Sequence, residues 1–246
     1  VEMELVSARA SIAPGEHFTV LLREKIIEGW HTYWRNPGDS GEPTTITWHL
    51  PAGFRAGDLQ WPAPERLPFD TLVNYGYSGE VFYPIAIDAP RNLRAGQSVT
   101  LSADLNWLVC SNVCIPEQGS VALMIPVATR GADDPQWAPR AAAAMDALPK
   151  RDGRIQAHIT AGALAHLSLT LPDPHDVRDA HFFPYDRDAV ENAAPQDASA
   201  GAQGVSFTLR PGSASNLGAG PLEGVVTLER ADGGRAAYEF VAQPGP

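Results

Sequence analysis

Val99-Thr100-Leu101-Ser102-Ala103-Asp104-Leu105-Asn106-Trp107 alternates without a break: Val99, Leu101, Ala103, Leu105 and Trp107 fall on one face. Successive side chains of an extended chain point to opposite sides, so this period of two predicts a strand with one buried face. Next comes Cys110-Ser111-Asn112-Val113-Cys114, and Val121 to Val127 supplies another β-prone run. The cysteines thus sit in the connection between two strands, with Cys110 at the end of the first. Further strands are read at Val81 to Ile87, at Thr45 to Leu50 before Pro51, and at His17 to Leu22 within Ile12 to Ile26. Gly29 to Trp34 is aromatic and β-prone, and it ends in the turn cluster Asn36-Pro37-Gly38-Asp39-Ser40-Gly41. Leu67 to Tyr77 has no regular period. It reads as a long loop with bulky apolar residues, one that must cover its own sheet or a site.

Toward the C-terminus the pattern changes once. In residues 129–152, Asp134-Pro135 forms a helix start and the Ala-rich stretch Arg140 to Leu148 continues it until Pro149. After about residue 153 alternation resumes, at Ala165 to Leu171, Val205 to Leu209, Gly224 to Glu229 and Arg235 to Val241. Asn192 to Gly204 is rich in Ala, Gly and Gln and reads as a mobile loop. His181-Phe182-Phe183-Pro184-Tyr185 reads as a strand end packed in a core. The expectation is an all-β protein of two β-sandwich domains, 1–128 and 153–246, joined by a linker, 129–152, with a short helix.

Composition agrees. The 22 Gly and 22 Pro are high for 246 residues and favour short strands joined by turns, while 44% hydrophobic residues suffice for real cores. With 18 basic against 29 acidic residues, a net charge of -11, and no Lys/Arg cluster, nucleic-acid binding is not expected. No apolar run reaches the roughly 18 residues of a membrane span, so membrane insertion is not expected of this stretch. The chain starts at Val1 without a signal peptide and reads as a trimmed mature protein or a fragment.

The two cysteines are the only ones in the chain. Closing so small a loop removes little unfolded-chain entropy, so a bond between them would stabilise weakly. The pair can be structural, redox-active or metal-binding. Metal is the weakest reading, because a closed zinc site wants four N/S ligands and no second Cys pair exists; His31, His49 or Met124 would have to complete a copper site. No metal or other cofactor is expected. Exchange needs an attacking thiolate and access to a partner's disulfide. Lys and Arg are absent from residues 95–129, and Glu117 near Cys114 would raise a thiol pKa or face solvent. His31 and Tyr33 read first as core packing on an aromatic strand. No nucleophile elbow surrounds Ser78, and no phosphate-binding glycine motif is present.

Four separated segments carry a family resemblance: Gly29 to Gly41, Trp61-Pro62-Ala63-Pro64, Tyr75-Gly76-Tyr77-Ser78-Gly79-Glu80, and Cys110 to Cys114 with Ile115-Pro116-Glu117. Together they resemble the N-terminal periplasmic domain of DsbD-type transmembrane thiol–disulfide interchange reductases. Within these they are most similar to the ScsB branch, linked to suppression of copper sensitivity. The resemblance covers residues 1–128; residues 150–246 resemble, less specifically, that branch's extra domain. It implies immunoglobulin-like sandwiches, a periplasmic location as a fragment of an inner-membrane protein, and a redox pair between two strands. Electrons would come from the membrane-embedded and thioredoxin-like parts of the same parent protein. They would pass to thioredoxin-fold periplasmic disulfide proteins of the ScsC or DsbC kind. By motif, Cys114 would attack the partner's disulfide and Cys110 would resolve the mixed disulfide. Phe69 to Tyr77 would form the cap, and His31 and Tyr33 match aromatic positions near the active site. Two departures stand out. Three residues separate the cysteines where better-known members have more, and Asn74 precedes Tyr75-Gly76 where those members place a Phe, so shielding would fall to Tyr75 or Phe69. The rivals are a β-sandwich binding module with a structural disulfide and a periplasmic copper-binding protein.

Overall fold

The computed structural model describes residues 1–213 and 217–245. The final residue of the second expected domain, Pro246, lies outside them. The chain divides into two compact units: Val1–Trp34, Glu42–Pro62 and Tyr77–Leu148 form the first, and Arg35–Gly41, Ala63–Gly76 and Pro149–Pro246 the second. The second unit therefore takes two segments from the first half of the sequence.

The first unit is a sandwich of antiparallel sheets. One has the order Glu2–Ser7, His17–Lys25, Glu80–Asp88, Arg55–Ala56; the other Cys114–Pro126, Ser98–Cys110, Thr45–His49. The strand Ser98–Cys110 buries Val99, Leu101, Ala103, Leu105, Trp107 and Val109 in strict alternation, as its sequence dictates. The helix Trp137–Asp146 belongs to this unit. An Asp134 carboxylate oxygen accepts from the Gln136 and Trp137 amides at 2.9 and 2.8 Å, which satisfies N–H groups that a helix start leaves unpaired. Ala141 and Ala144 pack on Val6 and Leu21, small enough to bring the helix close to the sheet.

The second unit is built on a longer sheet. Its order is Val177–Pro184, Leu222–Arg230, Arg235–Pro244, Gln156–Thr160, Ala165–Thr170, Gly204–Leu209, Asp197–Gly201, with Lys150–Arg151 beside Arg235–Pro244. Ile159, Leu167, Leu169, Phe182, Phe207, Leu209, Val226 and Phe240 lie at the centre of its core. The expected core position of Phe182 and Phe183 is observed.

Three local expectations are corrected. Leu67 to Tyr77 is not an irregular loop but part of a hairpin, Glu65–Phe69 with Leu72–Tyr77, turning at Asp70 with φ 53°. Its period is invisible because Val73 through Tyr77 are buried on both faces, while the facing strand is largely exposed. Asn192 to Gly204 contains the strand Asp197–Gly201, paired with Gly204–Leu209; all five of its side chains are exposed, so hydrophobic alternation has nothing to record. The cluster Asn36-Pro37-Gly38 continues the strand Thr32–Gly38 rather than ending it, because that strand pairs with Leu72–Tyr77 in a three-stranded sheet.

Candidate functional site

The strands Ser98–Cys110 and Cys114–Pro126 form one long hairpin whose last register pair is Cys110 opposite Cys114. A disulfide joins the two across a Cα–Cα distance of 4.1 Å, closing Ser111-Asn112-Val113 into the tip, where the Ser111 amide donates to the Val113 carbonyl at 3.0 Å. The fold gives the two sulfurs different surroundings. Cys110 is 1% exposed, held from the other side by a backbone bridge to His31 with both bonds at 2.9 Å. Cys114 is exposed. Val113 and Ile115, on either side of it, are 60% and 42% exposed, so one accessible sulfur sits between two uncovered apolar side chains.

Behind the hairpin lies the aromatic strand. The Tyr33 hydroxyl is 3.7 Å from Cys114 Sγ, and since an oxidised sulfur carries no proton the hydroxyl is the donor. Tyr33 is 1% exposed and its ring meets the His31 imidazole edge-on at 5.2 Å. Burial holds the imidazole below its ordinary value, which favours the neutral ring. Chemically this is a disulfide with one attackable sulfur, a hydroxyl aimed at that sulfur, and no cation supplied from the hairpin itself.

The site residues expected from sequence are distributed as follows. Cys110, Cys114, His31 and Tyr33 are brought together in the first unit. Glu117 lies on the same hairpin, opposite Trp107, and its carboxylate accepts from the Trp107 indole at 2.7 Å. Phe69, Asn74 and Tyr75 belong to the second unit. There Asn74 is 2% exposed and accepts from the Ser40 amide and hydroxyl at 3.1 and 2.8 Å; Tyr75 is fully buried, edge-on to Phe183 at 4.9 Å and His181 at 6.3 Å. Phe69, at the hairpin tip, is 42% exposed. Among the described residues no three His, Cys, Asp or Glu side chains gather to hold a metal ion.

Two features of the first unit escape a reading of the sequence. One is the exposed Val113–Ile115 flank, signalled only by apolar residues beside a cysteine in a turn. The other is Glu24, fully buried in the strand His17–Lys25, with Tyr83 donating to its carboxylate at 2.5 Å. Its signal is present: Phe18, Val20, Leu22 and Glu24 share one face of an alternating strand. Burial pushes that carboxyl up to about 7, against the opposing hydrogen bond of Tyr83.

Residues 2–126 match the model of the family described as thiol:disulfide interchange protein DsbD, N-terminal. No curated protein matches the chain. Among solved structures, the N-terminal periplasmic domain of ScsB from Proteus mirabilis aligns with a TM-score of 0.68 at 21% identity, over 99% of this chain and 92% of that one. At that identity the likeness speaks to fold. The major pilin subunit of Bacillus cereus gives a TM-score of 0.30 at 10% identity, over 99% of this chain and 67% of that one. The YadV chaperone gives 0.25 at 12%, over 97% and 98%. Neither of these two bears on function. Among the described residues no helix is long and apolar enough to cross a membrane.

Proposed function

Because the chain belongs to the DsbD N-terminal family, and is thus a thiol–disulfide interchange module of DsbD/ScsB type, we propose that it relays reducing equivalents in the periplasm, from the membrane-embedded and thioredoxin-like parts of a parent reductase to thioredoxin-fold disulfide proteins. The observation that carries this is the asymmetry of the pair: a disulfide closing a three-residue tip, with Cys114 exposed and Cys110 buried.

In the reducing direction the Cys114 thiolate attacks one sulfur of the partner's disulfide. That bond breaks, and the released partner thiolate takes a proton from water. The Cys110 thiol then loses its proton, and its thiolate attacks Cys114 Sγ. The mixed disulfide breaks, the partner leaves with both thiols, and the module is left with the Cys110–Cys114 bond seen here. Two electrons have moved to the partner. Re-reduction starts at the same accessible sulfur, where a thiolate of the thioredoxin-like part displaces Cys110. The Tyr33 hydroxyl donates to whatever negative charge Cys114 carries, which favours the thiolate where no cation does so. The exposed Val113 and Ile115 form the apolar rim a partner covers while its sulfur reaches Cys114. The cap that the family resemblance assigns to Phe69 to Tyr77 is ascribed here to Phe69, which is exposed, rather than to Asn74 or Tyr75, which are buried.

The test is trapping. With Cys110→Ser, a mixed disulfide between Cys114 and an oxidised thioredoxin-fold protein should accumulate and be visible on a non-reducing gel. With Cys114→Ser, none should form. Equal trapping by both variants would sink the assignment of roles.

A further inference from the structure

His31 and Cys110 are direct cross-strand partners: the amide of each donates to the carbonyl of the other at 2.9 Å. Both belong to the first unit, as do Tyr33 and Cys114. Residues directly opposite in an antiparallel pair project their side chains from the same face, with Cβ atoms about 4.5 to 5.5 Å apart. Cys114 is the register partner of Cys110 on its other side. Tyr33, two residues beyond His31, reaches Cys114 Sγ with its hydroxyl. One face therefore carries the imidazole, the phenol and both sulfurs.

The hydroxyl stands at Cys114; the imidazole stands beside Cys110. Its Nε2 is buried and has no hydrogen-bond partner among the described residues. A buried nitrogen left unpaired costs free energy. In the oxidised chain neither sulfur has a proton to offer it, whereas in the reduced chain the Cys110 thiol does. The titratable groups facing the ring are Tyr33 on its own strand and the two cysteines of the hairpin. Burial alone holds the imidazole below its ordinary value, so at neutral pH it is uncharged and one ring nitrogen can accept.

We infer that His31 is the proton acceptor of Cys110, and so a catalytic residue of the exchange. In the resolving step the Cys110 S–H proton passes to His31 Nε2. The Cys110 thiolate then attacks Cys114 Sγ, the bond from Cys114 to the partner breaks, and the partner's sulfur leaves with the electron pair. The imidazolium returns its proton to water. In re-reduction the path runs backward, and the displaced Cys110 thiolate is protonated from water through the same ring. Residues 95–129 hold no Lys or Arg, so the imidazolium formed by this transfer is the positive charge that steadies the thiolate. The inference rests on the reading of Cys114 as the attacking thiol and Cys110 as the resolving one.

The experiment mixes the reduced full chain rapidly with dithiobis(nitrobenzoate), whose released thiolate is coloured and needs no proton. Attack by Cys114 releases one equivalent at a rate proportional to reagent. Attack by Cys110 on the Cys114 adduct releases the second at a rate independent of reagent, and this phase reads the deprotonation of Cys110. His31→Phe, which keeps a ring beside Tyr33, should slow the second phase at neutral pH by about tenfold to a hundredfold, the thiolate lost when a neighbouring histidine no longer lowers a thiol by about one to two units. Its rate should climb with pH to beyond roughly 8.5, the ordinary thiol value, where the wild type has already levelled. His31→Gln should do the same, and it carries the test if His31→Phe does not fold. Comparing the two phases within each variant sets apart a general loosening of the tip, which slows both. A second phase of unchanged rate and pH profile in both variants overturns the inference while the exchange reading stands. Equal slowing of both phases with no movement of the pH profile overturns it as well, leaving His31 a packing residue. If the wild type releases only one equivalent, or ends labelled on both cysteines rather than closed to the disulfide, the exchange reading itself fails and takes the inference with it.

Discussion

Glu24 should make the first unit lose stability as pH rises, and Glu24→Gln should abolish that loss. The carboxyl is fully buried, with Tyr83 donating to it at 2.5 Å, and burial pushes it up to about 7 from 4.5. Tyr77 and Tyr83, which surround it, are pushed well above their ordinary 10 by the same burial and stay neutral throughout. The sign follows from proton counting: between 4.5 and 7 the folded state holds a proton that the unfolded state has released. Stability is therefore full below about pH 4.5 and falls as pH rises through 7. Integrating the two titrations gives a loss of about 2 to 3 kcal/mol between roughly pH 5 and pH 8.5. The assay is urea unfolding of the oxidised chain at fixed ionic strength. All six tryptophans belong to the first unit, so their fluorescence reports that unit. In Glu24→Gln the amide keeps the size of the side chain and carries no titration, so the decline across this range should shrink by about 2 to 3 kcal/mol. An equal decline in wild type and variant would refute the reasoning.

His181 should act with the opposite sign in the second unit. Burial lowers its imidazole to about 4, so the unfolded state binds the extra proton between 4 and 6.5 and stability falls as pH drops through that window. His181→Phe should remove up to about 3 kcal/mol of that acid sensitivity, read by hydrogen exchange of the Val226 amide; an unchanged acid profile would contradict it. Gly38 has φ +80°, and a Cβ there would lie 2.4 Å from the Val73 carbonyl oxygen, which is backbone and cannot swing aside. Gly38→Ala should cost about 2 to 4 kcal/mol in thermal unfolding followed by circular dichroism, and an unchanged midpoint would contradict so close an approach of the two chain segments. Replacing both Val113 and Ile115 by Ser should weaken binding of a thioredoxin-fold partner about tenfold, while leaving reduction by dithiothreitol unchanged. A parallel fall in both would mean that the two side chains shape the sulfur rather than the docking surface.

The parts of this molecule legible in its sequence are those where a side chain has one buried face. Val99 to Trp107 can be placed on a strand, and the cysteines at its end, because alternation is a direct record of pleat. Segments buried on both faces or on neither leave no such record. That is why the hairpin of Tyr75 reads as a loop and the exposed strand Asp197–Gly201 as a mobile segment. The difference between the two sulfurs is readable only through the family resemblance. Burial of Cys110 depends on the backbone bridge to His31, a residue from a much earlier strand, and no local pattern encodes it. Equally hidden is the membership of Arg35–Gly41 and Ala63–Gly76 in the second unit, which is decided by distant contacts such as Asn36 with Pro184 and Asp39 with Asn192.

The central claim is that Cys110–Cys114 is an exchanging bond rather than a staple, and its reduction potential tests that most directly. Equilibrating the full chain with defined dithiol buffers and counting free thiols should place it between thioredoxin and the periplasmic oxidants, roughly -270 to -120 mV. A value below about -300 mV would mark a structural disulfide and contradict the account.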